Sequence, residues 1–439
     1  MTKVTGRLAL LAAAGIAGCG GSGGGGGGGV CPTGSGSGTL ALHITGTPSG
    51  NGIVSVSGGT PVTTADAQTS LPAGAAGVVA YLYAEPGGMV RTAYQPTVDN
   101  PNPCVLAGQV TTVNVAYALI PTSGLLWAGA ENTPSTATLL GYDPASIAAS
   151  GTAVAAVAAD TAGSGGFTFD KYGNIWVTGA AAGDPPVARY PASDFLTDGS
   201  KTPDLVITSS TLTAAVPGPA ALAFDGDGGL WVSVTGSNKV VKFSASQLDA
   251  GATTITAPPA VEEAGTNGPQ GIAFDLDGNL WIADSGNDAV VRIDAAHLTS
   301  SGTGADLTIT ALTPGPVIST LGSPLGLAFD VGGNLWVNYY GTMARLDAGD
   351  LAGTGTVTVT PAIQIVVDVL SLPTGIAFDE LGGLWFAYAS GYFARLSSAQ
   401  LQVSGTQTPA TIVDGTDLGD AGWFAIYPAP ALTPLAHAF

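Results

Sequence analysis

Five aspartates that recur in one local setting, a matching set of basic residues, three histidines and three cysteines are the groups in this 439-residue chain with chemistry to offer. Asp170, Asp225, Asp275, Asp330 and Asp379 each follow an apolar-Ala-Phe or Phe-Thr-Phe run and precede a glycine turn, where a carboxylate can accept turn N–H groups. Downstream of each stands a cation: Arg189, Lys242, Arg292, Arg345 and Arg395. Buried charges need partners, so we expect each aspartate to pair with the cation of its own repeat. Asp275-Leu276-Asp277-Gly278-Asn279 also has the beginning of a calcium loop, partly repeated in Asp225-Gly226-Asp227-Gly228. Calcium needs several further oxygens, and sister turns carry Lys171-Tyr172 or Val331-Gly332, so the expectation is a tight turn, with calcium the cofactor to test for. His43 sits in an alternating strand pattern and reads as a strand residue rather than a ligand.

These residues are positioned by a repeat. Phe167-Thr168-Phe169-Asp170, Leu222-Ala223-Phe224-Asp225, Ile272-Ala273-Phe274-Asp275, Leu327-Ala328-Phe329-Asp330 and Ile376-Ala377-Phe378-Asp379 each lead into Gly and then Ile-Trp or Leu-Trp. The tryptophans 176, 231, 281, 336 and 385 are 55, 50, 55 and 49 residues apart, a period that suits a four-stranded propeller blade and not a helical solenoid. Leu125-Leu126-Trp127-Ala128 is a second strand without a first, and Gly422-Trp423-Phe424-Ala425-Ile426-Tyr427 is a first strand without a second. Together they complete one blade and close a ring of six. In that split blade both charges vanish, with Tyr427 at the aspartate position and Gly141 at the basic one. The repeated tryptophans read as core between blades.

Gly271-Ile272-Ala273-Phe274-Asp275-Leu276-Asp277-Gly278-Asn279-Leu280-Trp281-Ile282-Ala283-Asp284-Ser285-Gly286-Asn287 resembles the repeat of the NHL and streptogramin-lyase-like propellers, a group that includes SMP-30/gluconolactonase-like folds. The resemblance implies an all-β, six-bladed β-propeller over 121–430. In those lyases the resemblance would place a metal and a histidine acid/base near the axis, and in the lactonases Glu, Asn and Asp around one metal. No such set stands at the strand entrances of this chain, so no catalytic or metal-binding residue is assigned. Polar and aromatic residues do gather where the entrances and neighbouring loops converge: Gln270, Asp284, Asn287, Asp288, Asn338, Tyr339, Tyr340, Tyr388 and Tyr392. Amides beside aromatic rings suit a carbohydrate or protein ligand. The expectation is a binding or scaffolding propeller; the alternative is a metal-dependent lyase or lactonase.

Upstream, Lys3 and Arg7 precede a short apolar run ending in Ile16-Ala17-Gly18-Cys19, which resembles a bacterial lipoprotein signal over 1–19 with Cys19 as the acylated residue. That implies export and a lipid-held position in the cell envelope, at the outer membrane or cell surface. Residues 20–38 read as a Gly-rich tether and 431–439 as a tail. Residues 39–120 alternate in short apolar runs and resemble a small Ig-like or PEGA-like β-sandwich spacer. With Cys19 acylated, Cys31 and Cys104 are left either as a disulfide or as two thiols. Composition agrees with an all-β chain: 66 Gly, 29 Pro, 10% charged residues. A net charge of −20, from 31 acidic and 11 basic residues, repels phosphate backbones and argues against nucleic acid as a partner.

Overall fold

A computed structural model describes Cys31, 35–85, 87–132, 136–163, 165–179, 183–213, 217–302, 304–310, 322–339, 342–367, 375–389, 391–415 and 420–430. Residues 1–30 with Cys19 and the glycine run, Tyr340, and residues 431–439 with His437 lie outside the described residues. The chain divides into two compact units: Met1–Glu85 with Ala93–Leu119, and Pro86–Thr92 with Ile120–Ala438. The division falls between Leu119 and Ile120, and Pro86–Thr92 groups with the second unit. There the Met89 carbonyl accepts the Glu380 N–H at 2.9 Å, and Val90 joins the core of the last blade.

In the first unit a five-stranded sheet runs in the order Ala67–Pro72, Ser37–Thr45, Val110–Leu119, Thr92–Val98, Tyr83–Glu85. A three-stranded sheet holds Val62–Thr64, Gly52–Val56 and Val78–Tyr81. Strict alternation puts Leu40, Leu42 and Ile44 on the same side as Val113, Val115 and Tyr117, and one core joins them to Val54 and Val78 of the second sheet. The Tyr117 hydroxyl donates to the carbonyls of Ile53 and Tyr81, both at 3.1 Å, and accepts the Ile53 N–H, tying the two sheets together. Burial pushes this phenol up to about 12. Cys31 and Cys104 form a disulfide across 73 residues of sequence. His43 is exposed and meets Asp66 at 2.9 Å, as a strand residue should.

Among the described residues the second unit contains six repeated sheets. Numbered as blades, blade 1 is Asp420–Ile426, Leu126–Asn132, Thr136–Tyr142 and Val157–Thr161, with the late strand paired antiparallel to Leu126–Asn132 so that Leu126 faces Ile426. Blade 2 is Phe167–Phe169, Ile175–Thr178, Val187–Tyr190 and Leu205–Ile207; blade 3 is Pro219–Phe224, Leu230–Val234, Lys239–Phe243 and Val261–Glu263. Blade 4 is Pro269–Phe274, Leu280–Asp284, Ala289–Ile293 and Leu307–Ile309. Blade 5 is Leu327–Phe329, Leu335–Tyr339, Thr342–Leu346 and Ile363–Val367; blade 6 is Ile376–Phe378, Leu384–Ala389, Tyr392–Leu396 and Thr411–Gly415. The innermost strands touch in cyclic order from blade 1 through blade 6 and back, which makes the unit a closed β-propeller.

Two devices hold the ring. On the inside, four of the repeated tryptophans pack on the first strand of the next blade: Trp176 on Phe224, Trp231 on Phe274, Trp281 on Phe329 and Trp336 on Phe378, with ring centres 5.7 to 6.2 Å apart. All are at most 1% exposed, so the tryptophans are inter-blade core, as their apolar setting implied. On the perimeter, the connection before each blade's last strand reaches back and adds a short parallel strand to the preceding blade. Gly199–Ser200 clasps blade 1, Thr254–Ile255 blade 2, Gly355–Val357 blade 4, Gly405–Gln407 blade 5, and Gly151–Ala153 of blade 1 clasps blade 6. On blade 3 the described residues show one bridge, Glu263 to Gly302.

Candidate functional site

The six first strands enclose an axial cavity of about 160 Å³. Its wall is apolar, built from residues such as Phe167, Leu222, Ile272, Leu327, Ile376 and Phe424, with Ala429 and Pro430 also lining it. Apart from the Thr168 hydroxyl and the Trp423 indole, the side chains of this wall carry no polar group. The inner strands come this close because Gly271 has no side chain: a Cβ there would lie 2.5 Å from the Leu325 carbonyl, to which its N–H donates at 2.8 Å.

The repeated aspartates sit just beyond this wall, at the turn from first to second strand. Each uses Oδ1 to accept the N–H groups two and four residues on, as Asp275 does from Asp277 at 3.0 Å and Asn279 at 2.9 Å. Oδ2 accepts the indole N–H of its blade's tryptophan, at 3.1, 2.9, 2.9, 3.0 and 2.8 Å from blade 2 to blade 6. The turn closes through Gly173, Gly228, Gly278, Gly333 and Gly382, whose φ of 71 to 80° favours glycine. The tight-turn reading thus accounts for every one of these carboxylates, including the calcium-like run. Among the described residues no group of three or more His, Cys, Asp or Glu is arranged to hold a metal ion.

The expected pairing of every aspartate with its own cation is corrected by the structure. Only Lys242 meets Asp225, at 2.6 Å, and Arg395 meets Asp379, at 2.5 and 3.0 Å. Arg189 turns to Asp204, Arg292 to Asp294 and Arg345 to Asp347. The residue four positions after the aspartate decides which happens. Where it is Asn174, Asn279 or Asn334, the side-chain amide donates to the carboxylate at 2.9 to 3.0 Å and its oxygen accepts the N–H of Ala192, Ala295 or Ala348. Where it is Gly229 or Gly383, the cation occupies that volume, and a Cβ would collide with Lys242 or Arg395. Burial holds the Asp170 carboxyl above its usual range despite these hydrogen bonds, while its displaced Arg189 is raised by the bond to Asp204. In blade 1, which lacks the aspartate, the Trp127 indole donates instead to the Thr122 carbonyl at 2.9 Å.

The residues read as a recognition face divide three ways. Asp284, Asn287 and Asp288 form a hydrogen-bonded rim: Asp284 accepts the Asn267 N–H at 2.6 Å and the Asn287 amide at 2.9 Å. Burial raises the Asp284 carboxyl. Asp288, in left-handed conformation at φ 50°, accepts the Ser323 N–H of blade 5 at 2.6 Å, just as Asn238 accepts the Gly268 N–H of blade 4 at 2.8 Å. These are staples between blades. Asn338 and Tyr339 are 0 and 4% exposed and belong to the interior, where burial drives the Tyr339 phenol upward. Both lie in a second strand that is packed on both faces. Gln270 is half-buried and Tyr392 is 39% exposed, while Tyr340 and the side chain of Tyr388 lie outside the described residues.

Sequence reasoning passed over Glu263, a carboxylate only 2% exposed at the outer edge of blade 3. The signal was legible once the repeats are aligned on the cation opposite each tryptophan. Two residues past its partner the sister strands have Ile207, Ile309, Ile365 and Val413. Blade 3 has Glu263.

No protein-family profile matches the chain, and no curated protein matches it. Solved structures do. The periplasmic gluconolactonase PpgL of Pseudomonas aeruginosa is 17% identical, with 68% of this chain and 82% of that one covered at a TM-score of 0.45. A virginiamycin B lyase of Staphylococcus aureus is 15% identical over 60% of this chain and 70% of its own, at 0.33. A nidogen/laminin complex is 14% identical over 68% of this chain and 96% of that one, at 0.44. At these identities the likeness is one of fold.

Proposed function

We propose that this chain is an exported lipoprotein, acylated at Cys19 and held in the cell envelope through a Gly-rich tether, whose propeller binds a protein or carbohydrate ligand. The observation that carries the binding reading is the apolar wall of the axial cavity, which has surface to bury and no acid, base or metal-ligating side chain. Gln270, Asn287, Asp288 and Tyr392 are the described members of the expected face that retain solvent exposure, and amides beside a phenol suit such ligands. An acidic chain with 31 Asp and Glu stays soluble at an envelope surface and gives nucleic acid no counter-charge.

Two measurements test this. In a bacterial host fed labelled palmitate, the wild type takes up label and fractionates with membranes, and Cys19→Ala loses both; label on the variant would sink the anchoring claim. On a glycan array and in a pull-down from envelope proteins, the chain retains a ligand and Tyr392→Ala weakens it at least about fivefold, a loss in the range of one contact residue. Turnover of a lactone or a streptogramin by the metal-supplemented protein would instead replace binding with the lyase or lactonase reading.

A further inference from the structure

Glu263 is a titratable group that the propeller does not need. Its four sister positions are aliphatic, at most 1% exposed, and the equivalent in blade 1 is Ala159, also buried. A carboxylate in that place loses its hydration, and Oε1 of Glu263 has no hydrogen-bond partner among the described residues. Sister clasps are parallel ladders of two or three residue pairs, as where Gly355–Val357 lies along Leu307–Ile309. Among the described residues one bridge stands here with three hydrogen bonds: Gly302 N–H to the Glu262 carbonyl at 3.1 Å, Ala264 N–H to the Gly302 carbonyl at 3.1 Å, and Glu262 N–H to Ser301 Oγ at 3.0 Å. Gly302 presses on the acid so closely that a Cβ would fall 2.6 Å from Oε2.

The charges around it are few. From its own strand comes Glu262, neutralised by Lys239 at 2.6 Å and hydrogen-bonded by Thr211. From blade 4 come His297 and Asp306, joined at 2.9 Å, with Asp306 also accepting the Asp294 N–H and feeling Arg292. Burial is the largest influence on Glu263 and raises it to about 7; His297 lowers it, Asp306 raises it, and the Gly302 N–H lowers it.

We infer that the clasp between blades 3 and 4 is proton-gated, with Glu263 as its switch: the neutral acid lets Gly302 close on the strand, and the carboxylate favours its release into water. The sign follows from the raised acid. Below the ordinary carboxylate range Glu263 is neutral whether the clasp is open or shut, and nothing opposes closure. Between the ordinary carboxylate range and about 7 the open state ionises while the shut state keeps its proton, so closure weakens as pH rises across that window and levels off above it. Opening unpairs the edge of Val261–Glu263, which is the kind of edge an added strand can take.

The test is hydrogen exchange on the full chain between pH 5 and 8, corrected for the intrinsic pH dependence of exchange. Protection at Ala264 and Gly302 should fall at least about tenfold over that range, because the shut clasp holds the Glu263 proton at least about ten times more tightly than the open one. Thr208 and Thr310, which hold the clasps on blades 2 and 4, should stay constant. Glu263→Gln, which cannot ionise, should flatten the dependence, and His297→Gln should move its midpoint to higher pH. Flat protection in the wild type overturns the inference. So does an equal fall at Thr208 and Thr310, or an undiminished fall in Glu263→Gln.

Discussion

At the residue scale, the repeated aspartate is an anchor with a choice of third partner. Its turn N–H groups and the tryptophan indole are constant, and the remaining lone pairs go either to an asparagine four residues on or to a cation arriving across the sheet. Glycine at that position is therefore a space-maker, here for a guanidinium. This predicts a rescue. Arg395→Ala leaves the fully buried Asp379 side chain without its bidentate partner and should cost about 3–5 kcal/mol of unfolding free energy. Adding Gly383→Asn to that variant should recover about half, because an amide then serves Asp379 as Asn174 serves Asp170, on the scale of one hydrogen bond to a charged group. Urea unfolding decides it; a double variant no more stable than Arg395→Ala would show that the two partners are not interchangeable.

At the element scale, stability comes from joining pieces distant in sequence. In the first unit the disulfide closes a loop of 73 residues from Cys31 to Cys104. Cutting such a loop releases chain entropy to the unfolded state, so Cys104→Ser should destabilise this unit by about 2–4 kcal/mol, read from its thermal transition. An unchanged transition would mean that the two-sheet core around Tyr117 suffices by itself. In the second unit the perimeter clasps do similar work without covalent bonds, since each borrows its strand from the neighbouring blade. Among the described residues the clasp on blade 3 is the shortest and the one whose acid is buried, since Asp160 and Asp414 in the clasps on blades 1 and 6 keep partial exposure, which is why it is the place for a switch.

At the scale of the whole unit, closure by Asp420–Ile426 removes the two edges that an open row of sheets would present. The strand also gives the core Phe424 and Ile426, both 5% exposed, so its loss would uncover apolar area as well as unpaired backbone. A chain truncated before Asp420 should therefore associate through the bared edge of Leu126–Asn132. Light scattering after size exclusion would show larger oligomers or aggregates than the full chain forms at the same concentration. A truncated chain with the same association state and the same unfolding midpoint as the full chain would refute the closing role of this strand.

Much of this was legible in the sequence because it is local or repeated. The alternation of strands, the Asp-to-Gly turns, the period of the tryptophans and the complementary orphan strands at Trp127 and Trp423 each need only near neighbours or comparison of one repeat with another. Partner choice was not local. Whether Arg292 meets Asp275 or Asp294 depends on the volume left by Asn279, and whether Asp288 faces a ligand or the Ser323 N–H depends on how one blade's rim meets the next. Asn338 and Tyr339 look like loop residues in the sequence and are core, because a propeller strand is covered on both faces. The burial of Glu263 is likewise a fact of the ring, since Gly302 arrives against that carboxylate from the next blade.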